Sequence, residues 1–244
     1  MLEGPGASAA VVAVQLAKLG ARVELFTTLS TDANAERVAR FFSEHGVDVY
    51  GAERPGAQPR SLALLDLGAR ERSLVAFGPT NRPELSDPLP WERLDRADAV
   101  VFTSGDIPLL ERARSSTDLL VVHALAAEVL AAAGVEAELV VGSGRDDEEA
   151  RLLRSVADRA GLVVETAAET GGRFAARDAA GGAWAATELP GPPVDSCGCG
   201  ASFLGGVAYA LAAGEPVESA LATGARCGAS CLTGQGPFAG QLRR

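Results

Sequence analysis

The chain of 244 residues carries 22 Lys and Arg against 32 Asp and Glu, a net charge of −10, with the charges scattered rather than gathered into blocks. That pattern argues against a nucleic-acid partner, and no apolar run approaches the about 20 residues of a membrane-spanning helix. Four cysteines, Cys197, Cys199, Cys227 and Cys231, lie near the C-terminus of a chain that is 47% hydrophobic, which reads as an ordinary globular protein with reduced thiols rather than a disulfide framework. No basic stretch leads into an apolar core and cleavage site, so a cytoplasmic location is expected.

Ala9 to Leu19 is an Ala-rich apolar run closed by Gly20, the pattern of a buried helix. Arg22 to Thr28 reads as a strand, and Thr31 and Asp32 open a second helix, Ala33 to His45, stopped by Gly46. Arg60 to Asp66 and Arg72 to Phe77 flank the turn Leu67-Gly68-Ala69-Arg70, a hairpin pattern. The four prolines of Pro79 to Pro90 mark a loop. Strands at Ala99 to Thr103, Leu119 to His123, Leu139 to Gly142 and Leu162 to Thr166 then alternate with helices at Ile107 to Ala113, Ala124 to Ala133 and Asp147 to Ala160. Two short strands are expected near Arg173 to Ala176 and Ala183 to Thr187, followed by helices at Gly200 to Ala213 and Val217 to Cys231. Apolar strands separated by helices imply an α/β fold with a mostly parallel sheet covered on both faces.

The segment Asp195-Ser196-Cys197-Gly198-Cys199-Gly200-Ala201-Ser202-Phe203, followed by Gly205-Gly206, resembles the C-terminal signature of the ribokinase-like (PfkB) carbohydrate kinases, D-T-x-G-A/C-G-D-x-F-x-x-G. Other stretches follow the family's order. Ala9 to Gly20 resembles its N-terminal helix, Leu25 to Ala39 its F-x-x-L-G-x-D segment, and Arg60 to Gly78 its strand pair. Ala97 to Gly105 and Ala225 to Gln235 resemble a strand end and the helix and loop beside the nucleotide base. The resemblance implies a single three-layer α/β/α domain over residues 1–244, with 60–77 as a reduced β lid whose exposed edge could join a second copy.

It also implies ATP-dependent transfer of a phosphoryl group to a sugar or nucleoside hydroxyl, with Mg²⁺. Gly198, Cys199 and Gly200 would form an anion hole of backbone N–H groups at a helix N-terminus; the alternative is a turn leading into a helix with no ligand. Asp195, Ser143, Asp146, Gly228 and Gly234 would lie on the nucleotide side, and Asp32 and Val11 on the substrate side. The departures fall on functional positions. Ala201 stands where the family has the Asp that takes the proton from the substrate hydroxyl, and a methyl group cannot accept one. Ala7 and Val11 replace a glycine and a substrate-contacting Asn, Ser30-Thr31 replace Gly-Asp, and Ala35 and Ala168 replace glycines. Ser143 and Asp146 stand for the family's N-x-x-E. The family's first strand would precede Met1.

Several residues also have plainer readings. Asp32 is expected to cap its helix, and the acidic run Asp146 to Glu149 to favour a helix N-terminus, with magnesium organisation secondary. Arg60 is either a surface strand residue or a lid contact. The four cysteines are read as small residues in packed helices, and no metal site is assigned. His45 and His123 close a helix and a strand. A rival to the kinase reading is a protein that keeps the fold and nucleotide affinity without catalysis.

Overall fold

Residues 4–66 and 71–244 are described by a computed structural model. The first helix, α1 (Ala7–Lys18), ends where Gly20 adopts a φ of 95° that a side chain would resist. Strand β1 (Val23–Ser30) follows, then α2 (Ala33–Glu44), opened by the Asp32 carboxylate, which accepts the Ala35 N–H at 3.0 Å. Strand β2 (Val47–Arg54) pairs with β1 in parallel, from Val23 opposite Val47 to Ser30 opposite Arg54.

Strands β3 (Arg60–Asp66) and β4 (Glu71–Phe77) form the expected antiparallel hairpin, with Arg60 opposite Phe77; the turn at 67–70 lies outside the described residues. The hairpin is a sheet of its own, and one of its faces exposes Leu62, Leu64, Val75 and Phe77.

The remaining strands build one sheet in the order β10-β9-β8-β7-β6-β5. Strands β5 (Val100–Phe102), β6 (Leu120–His123), β7 (Ala137–Ser143) and β8 (Ala160–Thr166) run parallel, and β9 (Gly172–Ala176) and β10 (Gly182–Trp184) are antiparallel additions. Between them run α3 (Ile107–Ser116), α4 (Ala127–Ala133) and α5 (Asp147–Ser155), and after them α6 (Cys199–Ala212), α7 (Val217–Leu232) and the short α8 (Gly236–Ala239).

Alternation along the strands divides the core between two faces. Val122 and Val140 pack with Leu110, Leu130 and Leu153 of α3, α4 and α5. Their neighbours Val121, Leu139 and Val141 pack on the other side with α1, α6 and α7 through Val12, Leu204, Val207 and Leu221. A third cluster, Ala10, Ala13, Val14, Val23, Phe42 and Val47, joins α1 and α2 to β1 and β2. Because both sheet faces are sealed, truncating a fully buried leucine such as Leu139 to Ala costs about 2–5 kcal/mol.

Three boundaries differ from the sequence expectation. The helix expected to reach Ala160 stops at Ser155: Val156 turns inward with no exposure, and a 3₁₀ turn (Ala157–Arg159) leads directly into β8. The strand expected at Ala183 to Thr187 is confined to Gly182–Trp184, the stretch that finds a partner on β9. Strand β2 has no sequence counterpart, since Asp48, Glu53 and Gly51 interrupt its apolar alternation.

Candidate active site

The chain approaches α6 through the loop Val194 to Cys197, and Asp195 anchors that loop. One carboxylate oxygen accepts the Cys197 N–H and the other the Gly236 N–H, both at 2.9 Å, tying the turn to the start of α8. Gly198 then caps α6 with φ 82°, a left-handed conformation in which a Cβ would also lie 2.6 Å from Pro237 Cβ and 3.1 Å from Val11 Cγ1. Only glycine fits there. Gly200 is different: a Cβ on it would meet nothing within 4 Å, so its backbone faces open space.

Gly198, Cys199, Gly200, Ala201, Asp195, Val11, Ser143, Asp146 and Gly228 all line one broad opening that runs along much of the molecule. The first N–H groups of α6 lack intrahelical acceptors and carry the positive end of its dipole, so they suit an anion. Ala201 is 8% exposed and packs in the core cluster that includes Val11, so a methyl rather than a carboxylate occupies this position. Gly228 lets α7 approach the Cys199 carbonyl, which a Cβ would meet at 3.3 Å.

Two expected residues are not part of the lining. Asp32 does not line the cleft: its carboxylate accepts from Ala35 N at 3.0 Å, Gln58 N at 3.1 Å and Asn34 Nδ2 at 3.4 Å, and these bonds, the two backbone donors foremost, hold it below the usual carboxylate range. Gly234 is also outside the lining; it serves a close backbone crossing, where a Cβ would meet Gly240 N at 2.1 Å. Asp146 caps α5 through Glu148 N and Glu149 N.

Glu149 lines the cleft unforeseen. Its Oε2 accepts the Ser143 N–H at 2.8 Å, and burial raises its pKa against that bond. The spacing Asp146-x-x-Glu149 was the signal that could have found it, because it repeats N-x-x-E with an acidic first member. His123, also in the cleft, takes the Leu125 N–H on Nδ1 at 3.2 Å, and burial lowers its pKa to about 4. Among the described residues no group of three or more His, Cys, Asp or Glu is placed to hold a metal ion, and no helix is long and apolar enough to cross a membrane.

A doubly covered, mostly parallel sheet with a Gly-rich turn opening a helix beside a cleft defines the α/β class. The profile of the pfkB family carbohydrate kinases matches residues 2–128, just over half of the sequence, and the chain belongs to that family. The fold is ribokinase-like. Adenosine kinase from Sinorhizobium meliloti superposes with a TM-score of 0.79 at 18% identity, over 97% of this chain and 80% of that one. Ribokinase from Thermotoga maritima gives 0.78 at 14% identity over 98% and 85%. Fructokinase with bound ATP from Xylella fastidiosa gives 0.75 at 22% identity over 97% and 87%. No curated protein sequence matches the chain.

Proposed function

We propose that the chain binds ATP with its phosphates at the Gly198–Gly200 turn, and that transfer to a sugar or nucleoside hydroxyl is slow because Ala201 cannot serve as the base. Residues 1–244 act as one domain in this reading. The observation that carries it is the contrast inside the turn: Gly198 is locked by φ 82° and by Pro237, while Gly200 leaves open space beside the first N–H groups of α6. That is the shape a phosphate needs. Asp195 holds the turn in place, and Gly228 and Gly234 set the α7 side.

Mg²⁺ neutralises phosphate charge in transfers of this kind, and Ser143, Asp146 and Glu149 would organise it. On the acceptor side Val11 offers an apolar wall, and Asp32 acts through the cap and Gln58 rather than by touching substrate. Loss of a general base removes about 10²- to 10⁴-fold of rate, while positioning and electrostatic stabilisation remain.

Titration calorimetry with ATP and Mg²⁺, run beside a phosphoryl-transfer assay over sugars and nucleosides, tests this. Gly200→Val should abolish nucleotide binding while the chain stays folded by its melting transition, because a Cβ there meets nothing within 4 Å. ATP affinity unaffected by Gly200→Val would refute the assignment. Binding with no turnover on any acceptor would leave the nucleotide-binding, non-catalytic reading.

The apolar lid face of Leu62, Leu64, Val75 and Phe77 supports a homodimer through the hairpin. A monomer at high concentration by light scattering would remove that element.

A further inference from the structure

Three of the four cysteines converge where α6 begins. Cys197 and Cys199 belong to the turn, and Cys231 reaches it from the last turn of α7. Cys231 Sγ lies 3.5 Å from the Cys197 carbonyl oxygen and 3.6 Å from that of Pro237, and Cys199 Sγ lies 3.9 Å from the Asp195 carbonyl oxygen.

The main chain fastens the end of α7 to this turn. Leu232 O, one residue after Cys231, accepts the N–H groups of Val194 at 2.8 Å and Asp195 at 3.2 Å. Three residues before Cys231, a Cβ on Gly228 would meet Cys199 O at 3.3 Å, so the α7 face that carries residues 228 and 231 lies against the start of α6. The side chains of Cys199 and Cys231 are thereby hydrogen-bonded to each other.

The two sulfurs differ in access and in proton affinity. Cys199 is half-buried and lines the opening, whereas Cys231 has no exposure and is not part of the lining. The hydrogen bond from the Cys199 S–H, seconded by one with Ser202, holds the Cys231 thiol below its ordinary range, and the same bond pushes Cys199 up. Cys227 is the contrast. It is buried where α6 and α7 cross, a Cβ on Gly206 would lie 2.7 Å from its sulfur, and burial pushes its pKa up to about 12. A thiol so placed is inert.

We propose that Cys199 and Cys231 are a peroxide-reactive pair that closes reversibly into a disulfide across the α6–α7 contact, with Cys199 as the attacking sulfur and Cys231 as its base and resolving partner. In the first step Cys199 Sγ attacks one oxygen of hydrogen peroxide while its proton passes to the Cys231 thiolate. The O–O bond breaks and hydroxide leaves; Cys199 becomes a sulfenic acid, oxidised by two electrons as the peroxide is reduced. The Cys231 S–H so formed has the Cys197 and Pro237 carbonyls as acceptors. In the second step Cys231 Sγ attacks the Cys199 sulfur, the S–O bond breaks, and the hydroxyl leaves with the Cys231 proton as water. The singly deprotonated pair and one peroxide thus give a disulfide, one water and one hydroxide.

A small neutral oxidant suits a half-buried sulfur, and a resolving thiol already in contact ends the reaction before a sulfinic acid forms. Two sulfurs do not make a metal site, and among the described residues no group of three or more ligands is placed for one. The proposal does not rest on nucleotide binding.

The test exposes the reduced full chain to hydrogen peroxide and maps its cysteine peptides by mass spectrometry without reduction. The expected product is a Cys199–Cys231 disulfide, reversed by dithiothreitol. It should form at least about tenfold faster than peroxide consumes thiols of the same chain unfolded in guanidinium, because only the folded chain places a base beside Cys199. Cys231→Ser removes base and resolving partner together, so Cys199 should react at least about tenfold more slowly and stop at a sulfenic acid that dimedone traps. Should that variant fail to fold, the map and rate of the parent chain decide the question. A disulfide that uses Cys197 or Cys227 instead, oxidation of Cys199 to a sulfinic acid in the parent chain, or a folded-chain rate no faster than the unfolded one would each overturn the proposal.

Discussion

The six-stranded sheet and the region of β1 to β4 were built under different constraints. In the part from β5 to β10, strands and helices close on each other, and the Gly-rich turn is assembled from one continuous stretch, residues 195–201, held by Asp195 to Gly236. In the part formed by α1, β1, β2 and the β3–β4 hairpin, strands pair in twos and a lid face remains uncovered. A turn of this kind needs only local backbone geometry and a helix end, so its shape does not depend on distant elements. An acceptor pocket needs several elements to converge, and Val11 of α1 and Ala201 of α6, which meet in one core cluster, bring only apolar groups to it.

Ala201→Asp challenges this contrast most strongly. If only the missing base limits transfer, activity with a sugar or nucleoside should rise about 10²-fold or more, measured by product formation. Nucleotide affinity should change little. ATP binding without any gain in activity would place the limit in the open half.

The sealed half can be probed through His123. Burial holds its pKa at about 4 against an ordinary 6.5, so the unfolded chain binds the extra proton between those values. The stability tied to this neutral histidine is complete above about pH 6.5 and is lost as pH falls toward 4, about 3 kcal/mol in all. Denaturant midpoints from pH 7 to 4 should fall less steeply in His123→Asn than in the parent chain; equal slopes would show that the histidine is not buried neutral.

Gly198→Ala tests the turn itself. The positive φ and the 2.6 Å approach to Pro237 should together cost about 2 kcal/mol or more and weaken ATP binding, read by melting and calorimetry.

The smallest effects compare one residue from each half. Ala7, with φ 66°, and Ala168, with φ 51°, are the described non-glycine residues in the left-handed region, and both stand where the family pattern has glycine. Glycine relieves about 1–2 kcal/mol of strain but frees the unfolded chain by about 0.4–1 kcal/mol. Ala7→Gly and Ala168→Gly should each therefore stabilise by about 0.5–1 kcal/mol, visible as a small rise in melting temperature. A fall at either position would show that its backbone is not strained.

Much of this was legible in the residues. Apolar runs separated by capped helices determined a covered, mostly parallel sheet, because burial on both faces removes the polar alternation of a half-exposed strand. Asp195 to Phe203 determined a turn opening a helix, since glycines and a following apolar stretch are local instructions. The stop at Ser155, the edge strand β2 and the inward Glu149 were decided by tertiary structure. Each depends on a neighbour distant in sequence or on how far a side chain is desolvated, and neither is written in a local pattern.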